Sequence, residues 1–116
     1  MANTFKVINF AAEPNSAGTP FTMYTVASST TTVVLGLILA NIHSSAVTAE
    51  VELVSTTSSR GGVNNVANGT SFLIKDVNIP TGSSLEILSG GKVVLEAGDK
   101  IQIDCSVADK LSGTLS

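Results

Sequence analysis

Few side chains in this chain could carry out chemistry, and their spacing restricts them further. His43 is the sole histidine and Cys105 the sole cysteine. An activated nucleophile or a histidine-built metal site needs several such groups brought together. His43 therefore reads as a surface residue of a turn between two strands. Cys105, at the end of an alternating apolar run, reads as a small core residue rather than a reactive thiol. With one cysteine, neither an internal disulfide nor a thiolate metal cluster can form. Glu86, Glu96, Asp99 and Asp104 lie close in sequence, an arrangement from which an acid/base pair or a calcium site could be built. Glu96 and Asp104 fall on the outward faces of what read as adjacent strands, where carboxylates are ordinarily solvated. No catalytic, cofactor-binding or metal-binding residue is assigned, and no enzyme activity or cofactor is expected.

Three short motifs point to chemistry and fall away on inspection. Leu95 to Asp99, LEAGD, is a turn that also occurs in metal-binding cupin barrels, but their several histidine ligands are absent here. Asn68-Gly69-Thr70 matches a glycosylation sequon and reads as a turn. Gly90-Gly91 joins two strands rather than a strand and a helix, so it is not a phosphate loop. Carbohydrate recognition usually relies on exposed aromatic platforms, and the chain has no Trp, one Tyr and four Phe.

Composition bounds the rest. A chain of 116 residues is one domain by length, residues 1–116, with room for one modest core. Apolar residues make up 43% and charged residues only 13%, leaving a surface rich in Ser, Thr and Asn that suits a protein packed among others. Six basic residues against nine acidic ones, with no basic run and a pI near 4.8, argue against nucleic acid as a partner. No leader-like segment is evident, and the most apolar run falls short of the ~20 residues that span a bilayer, so a soluble, cytosolically made protein without a membrane partner is expected.

These residues must be held by β-structure. Lys100 to Cys105 alternates cleanly, with Ile101, Ile103 and Cys105 on one face and Lys100, Gln102 and Asp104 on the other. Lys92 to Glu96 places Val93 and Leu95 opposite Val94 and Glu96. Pro80-Thr81-Gly82 presets a tight turn, Gly90-Gly91 permits the positive φ angles of a hairpin loop, and Ala97-Gly98-Asp99 marks another reversal, so that Lys92 to Glu96 and Lys100 to Cys105 read as a hairpin.

Upstream, Thr4 to Phe10 is a first strand candidate, Ala11 to Pro20 a loop, and Phe21 to Ala27 a second strand with Phe21, Met23 and Thr25 on one face. Thr32 to Asn41, TVVLGLILAN, is the most apolar stretch and is expected to be a strand buried on both faces, with Gly36 marking a bulge or close packing. Ala46 to Thr56 turns Val47, Ala49, Val51 and Leu53 inward. Ser55 to Thr70 is a second long loop, and Ser71 to Val77 directs Phe72 and Ile74 inward. Leu111 to Ser116 still alternates where it stops. The expectation is an all-β, single-domain antiparallel β-sandwich, jelly-roll-like, of about eight short strands.

Tyr24 to Val26 (YTV), Thr31 to Val54 (TTVVLGLILANIHSSAVTAEVELV), Ser71 to Leu88 (SFLIKDVNIPTGSSLEIL) and Gly90 to Ile103 (GGKVVLEAGDKIQI) together resemble small virion structural proteins of tailed bacteriophages, especially those of marine bacteria and cyanobacteria. The chain departs from that pattern at Ala27 to Thr31, where a Pro-Gly-type turn is usual, and its final strand is shorter. The resemblance implies a β-sandwich located in the virion, as a capsid decoration (cement) protein or a component of neck, tail or fibre. It implies the major capsid protein or other virion proteins as partners, with a homo-oligomer expected. A receptor- or glycan-binding module is the alternative, and the loops 11–20 and 55–70 are the expected contacts. No binding residue carries over, because the matching positions are those of a scaffold.

Overall fold

The computed structural model describes residues 5–55, 69–88 and 91–116. Ten strands are present among them and no helix: β1 (Ile8–Glu13), β2 (Phe21–Thr25), β3 (Thr32–Val34), β4 (Leu37–Asn41), β5 (Val47–Val54), β6 (Thr70–Ile79), β7 (Ser84–Glu86), β8 (Val93–Leu95), β9 (Lys100–Cys105) and β10 (Leu111–Leu115). They form one four-stranded sheet in the order β1-β10-β4-β7, a second in the order β2-β9-β5-β6, and a two-stranded ribbon, β3-β8. Every pairing is antiparallel.

With the ribbon set aside, the remaining strands numbered along the chain run 1-8-3-6 in one sheet and 2-7-4-5 in the other. That is the strand order of a jelly roll. Most connections therefore cross from one sheet to the other instead of making local hairpins. Alternating runs require this arrangement, because each sheet has one apolar face that only an opposing sheet can cover.

The cover is a single core. Leu37, Leu39, Leu111 and Leu115 from the first sheet meet Met23, Val47, Ala49, Val51, Ile79, Ile101, Ile103 and Cys105 from the second, with Val34 and Leu95 entering from the ribbon. Phe10 and Phe21 bridge the sheets edge to face, with centroids 5.3 Å apart. Gly113 lies under Phe10, where an added Cβ would collide with the ring, so the close ring packing requires glycine.

The turns at Pro80 and Ala97 form as their sequences dictate. Ser83 donates to the Pro80 carbonyl at 3.1 Å with Gly82 at φ 72°, and Asp99 donates to the Glu96 carbonyl at 3.0 Å with Gly98 at φ 86°. Both place glycine where a type II turn needs positive φ.

The expected hairpins do not form. β7 pairs with β4, β8 with β3, and β9 lies between β2 and β5, so β8 and β9 belong to different sheets. A tight turn sets only chain direction; which strand then becomes a neighbour is decided by burial across the sandwich. Gly90 lies outside the described residues, as do Thr4 and residues 56–68 of the second expected loop, including Asn68 of the sequon.

Four further expectations are corrected. The first strand is Ile8–Glu13, reaching into the expected loop, while Phe5 and Val7 are 86% and 61% exposed. Its pairing with β10 runs from Ile8–Leu115 to Glu13–Leu111 through a bulge after Phe10, which rescues residues of weak strand preference. In β2 a bulge between Thr22 and Tyr24 shifts the alternation, so Thr25 is exposed and Val26 is buried with Met23. Phe72 is 46% exposed because the β5–β6 register slips twice, leaving Phe72 opposite Glu52 on the outside. Thr32 to Asn41 is two strands broken at Leu35-Gly36 and is buried on one side only.

Candidate functional site

Two places gather side chains that could act: a polar cleft on the second sheet and an apolar strip beside the first. The cleft, about 200 Å³ in volume, is lined by Ala17, Gly18, Thr48, Glu50, Asp76, Asp104, Cys105 and Ser106. β5 and β9 place Glu50 directly opposite Asp104. Like charges in that relation repel, so each needs a partner.

Asp104 finds its partners in the backbone. It is only 9% exposed, because residues 14–20 fold across it, and its Oδ1 accepts from the Gly18 N–H at 3.2 Å and the Cys105 N–H at 2.8 Å. Alternation correctly turned it away from the core, but the solvated position expected for it is wrong. A local period cannot show which distant loop will cover a strand. Pro14, itself buried, accepts from the Asp109 N–H at 2.7 Å and fixes the start of the same loop.

Glu50 accepts from Lys75 Nζ at 2.9 Å, and the same ammonium stands 4.5 Å from the centroid of the Phe72 ring. The bond to Glu50 is the main reason the Lys75 ammonium holds its proton above the ordinary lysine range. The two-against-one register around Glu50 leaves Asp76 at φ 51°, a bulge that brings Lys75 into reach. Glu52, one pleat along, is pushed above the usual carboxylate range by partial burial and then by the charges of Glu50 and Asp104. Burial likewise raises the Cys105 thiol, which keeps it protonated and poorly nucleophilic.

The other sequence candidates are dispersed. Asp99 is 1% exposed and accepts from the Glu96 N–H at 3.0 Å, so it braces its own turn, whereas Glu96 is exposed on the ribbon side. Glu86 is exposed on the edge strand β7 of the opposite sheet. His43 donates its N–H to Asn41 Oδ1 at 2.7 Å and accepts from Thr81 Oγ1 at 2.6 Å through its carbonyl. Its neighbour Asn41 was not singled out by sequence. It is 5% exposed and donates to the carbonyls of Ser45 and Ile79 at 2.9 Å each, tying β4 to the end of β6. Among the described residues no group of three or more His, Cys, Asp or Glu is placed to hold a metal ion.

The apolar strip follows the break at Leu35-Gly36. Inward, Val34, Leu37 and Leu39 are at most 2% exposed; outward, Val33, Leu35, Ile38 and Ile42 are 45–49% exposed. Val94 lies directly across the ribbon from Val33 and is 57% exposed. The sequence carried the trace of this strip, since a run without alternation implies two apolar faces. Among the described residues, none covers its second face.

No protein-family model matches this chain, and neither a curated protein nor a solved structure is significantly similar to it.

Proposed function

We propose that this chain is a non-enzymatic structural protein of a tailed-bacteriophage particle, which attaches to the assembled shell through its major capsid protein and reinforces it. The observation that carries this reading is the strip along Thr32 to Ile42, where aliphatic side chains face outward at nearly half exposure. Exposed apolar area of this kind marks a surface that works by being covered.

Three further features support the reading. The virion-protein resemblance includes this strip. The jelly-roll order is one that capsid proteins use, although lectins and cupins share it, so fold alone weighs little. The carboxylates of the polar cleft are engaged by a lysine and by backbone N–H groups, which makes the cleft a fastening for loop 14–20. Repetition over a shell turns weak contacts into durable attachment.

The test is direct. Antibody raised against the chain should label phage heads at regular lattice positions, and heads lacking the protein should release DNA at lower temperature. Label confined to the tail would move the protein to neck, tail or fibre. Particles free of label would remove it from the virion.

A further inference from the structure

The strand register gathers the exposed apolar side chains at one end of the first sheet. Ile8, Leu115 and Leu37 form a row across β1, β10 and β4. Beyond that row Ser116 pairs with Gly36, its N–H donating to the Gly36 carbonyl at 2.9 Å and its carbonyl accepting from Leu35 and Gly36. Phe5 and Val7 immediately precede β1 at this end and are exposed. Leu35 and Val33 leave β4 there, and Val94 is paired to Val33. Strands lie about 4.8 Å apart, so the ends of β1 and β4 that these residues flank are roughly 10 Å apart across β10.

From these observations we propose that this end of the sandwich is a self-association surface, occupied by a second copy of the same chain about a twofold axis. The inference rests on the assembly role proposed above: it gives the strip to contact between copies and leaves attachment to the shell to other surfaces of the chain. Size supports the occupant. Phe5, Val7, Val33, Leu35, Ile38 and Val94 together expose on the order of 500 Å², at the upper end for apolar patches on single chains. Two such patches would bury about 1,000 Å², the lower limit for a specific interface.

Charge supports it too. The chain is net −3, so copies repel in general. The six apolar residues carry no charge, and the rim offers both signs: Lys6 and Lys92 as cations, and Glu86 opposite Ile38 as an anion. Two copies can therefore pair opposite charges at the edge while the apolar centre closes. The patch also combines the highly exposed Phe5, at 86%, with the aliphatic side chains of the ribbon, and a twofold contact sets one against the other.

Sedimentation equilibrium of the full chain tests this. The wild type should dimerise in the micromolar range, and Leu35→Asp with Val94→Asp should weaken association at least about 100-fold. Circular dichroism should show unchanged strand content, since both side chains face outward. Should the aspartates unfold the chain, Val33→Ser with Val94→Ser reads the same contact, with an expected loss of about 10-fold. Phe72→Asp, on the other sheet, should leave association unchanged. A wild type that stays monomeric at several hundred micromolar overturns the proposal, as does a dimer broken by Phe72→Asp and untouched by the strip variants. Cosedimentation with purified phage heads is scored separately: a monomer that binds heads ends the self-contact and leaves the virion role standing.

Discussion

The outward sides of the two sheets differ in how far this chain completes them. On the β2-β9-β5-β6 sheet, polar groups find partners within the chain: Lys75 with Glu50, Gln102 with Thr22 at 2.9 Å, and Asp104 with the backbone of Gly18. Even Phe72, exposed there, lies beneath an ammonium. On the β1-β10-β4-β7 side, Ile38 stands between Thr114 and Glu86, and Leu35, Val33 and Val7 extend the apolar surface past the sheet. A surface whose groups are paired internally can face water as its final state. An aliphatic surface has no partner to find except one that displaces water.

The sharpest way to break this comparison is to exchange the two sides of β4. Leu39→Ala, inside, should cost about 2–5 kcal/mol in chemical denaturation, because it empties a packed position. Ile38→Ala, one residue away and outside, should stay within ~1 kcal/mol. Equal costs would mean that β4 has no uncovered side.

Asn41→Ala comes next, at about 1–3 kcal/mol, since it strands the Ile79 carbonyl and the His43 N–H. Asp104→Ala should cost about 1 kcal/mol, less than two lost hydrogen bonds suggest, because Glu50 and Glu52 are relieved of a like charge. Amide exchange at Gly18 should quicken in that variant and largely recover in Asp104→Asn, which keeps an acceptor. An unchanged Gly18 amide would show that the loop is held by something else.

Glu52→Gln should give the smallest change, a gain of a few tenths of a kcal/mol at neutral pH, because charges this exposed are screened. The folded-state pKa of Glu52 is raised, so its ionised form weakens the fold above that value. As pH falls through the raised pKa toward 4.5 the wild type recovers what it lacks, and the two proteins should converge in thermal melts.

How much was legible depended on whether the information was local. Ile101, Ile103 and Cys105 inside, Val47, Ala49 and Val51 inside, and glycine in the turns at Pro80 and Ala97 follow from period and backbone sterics. The bulges were illegible: at Thr22 and Leu73 the registers shift without a glycine or proline to announce it, and at Phe10 the glycine, Gly113, stands on a partner strand far along the chain. Each shift flips the faces beyond it, which is why Thr25 and Phe72 were misplaced. Asp104 was misjudged because the Gly18 loop that covers it comes from far along the chain. The strip at Thr32 to Ile42 was legible as two apolar faces, and the error lay in supposing that this chain covers both.

The sequence by itself determined an all-β chain whose alternating strands each carry one apolar face and whose most apolar run carries two, because side-chain alternation and turn stereochemistry act over a few residues. Only the tertiary structure decided which strands became neighbours and which apolar face stayed outside. A turn fixes direction, whereas pairing is settled by the burial available across two sheets. The described residues close one core and leave the outer side of β4 exposed.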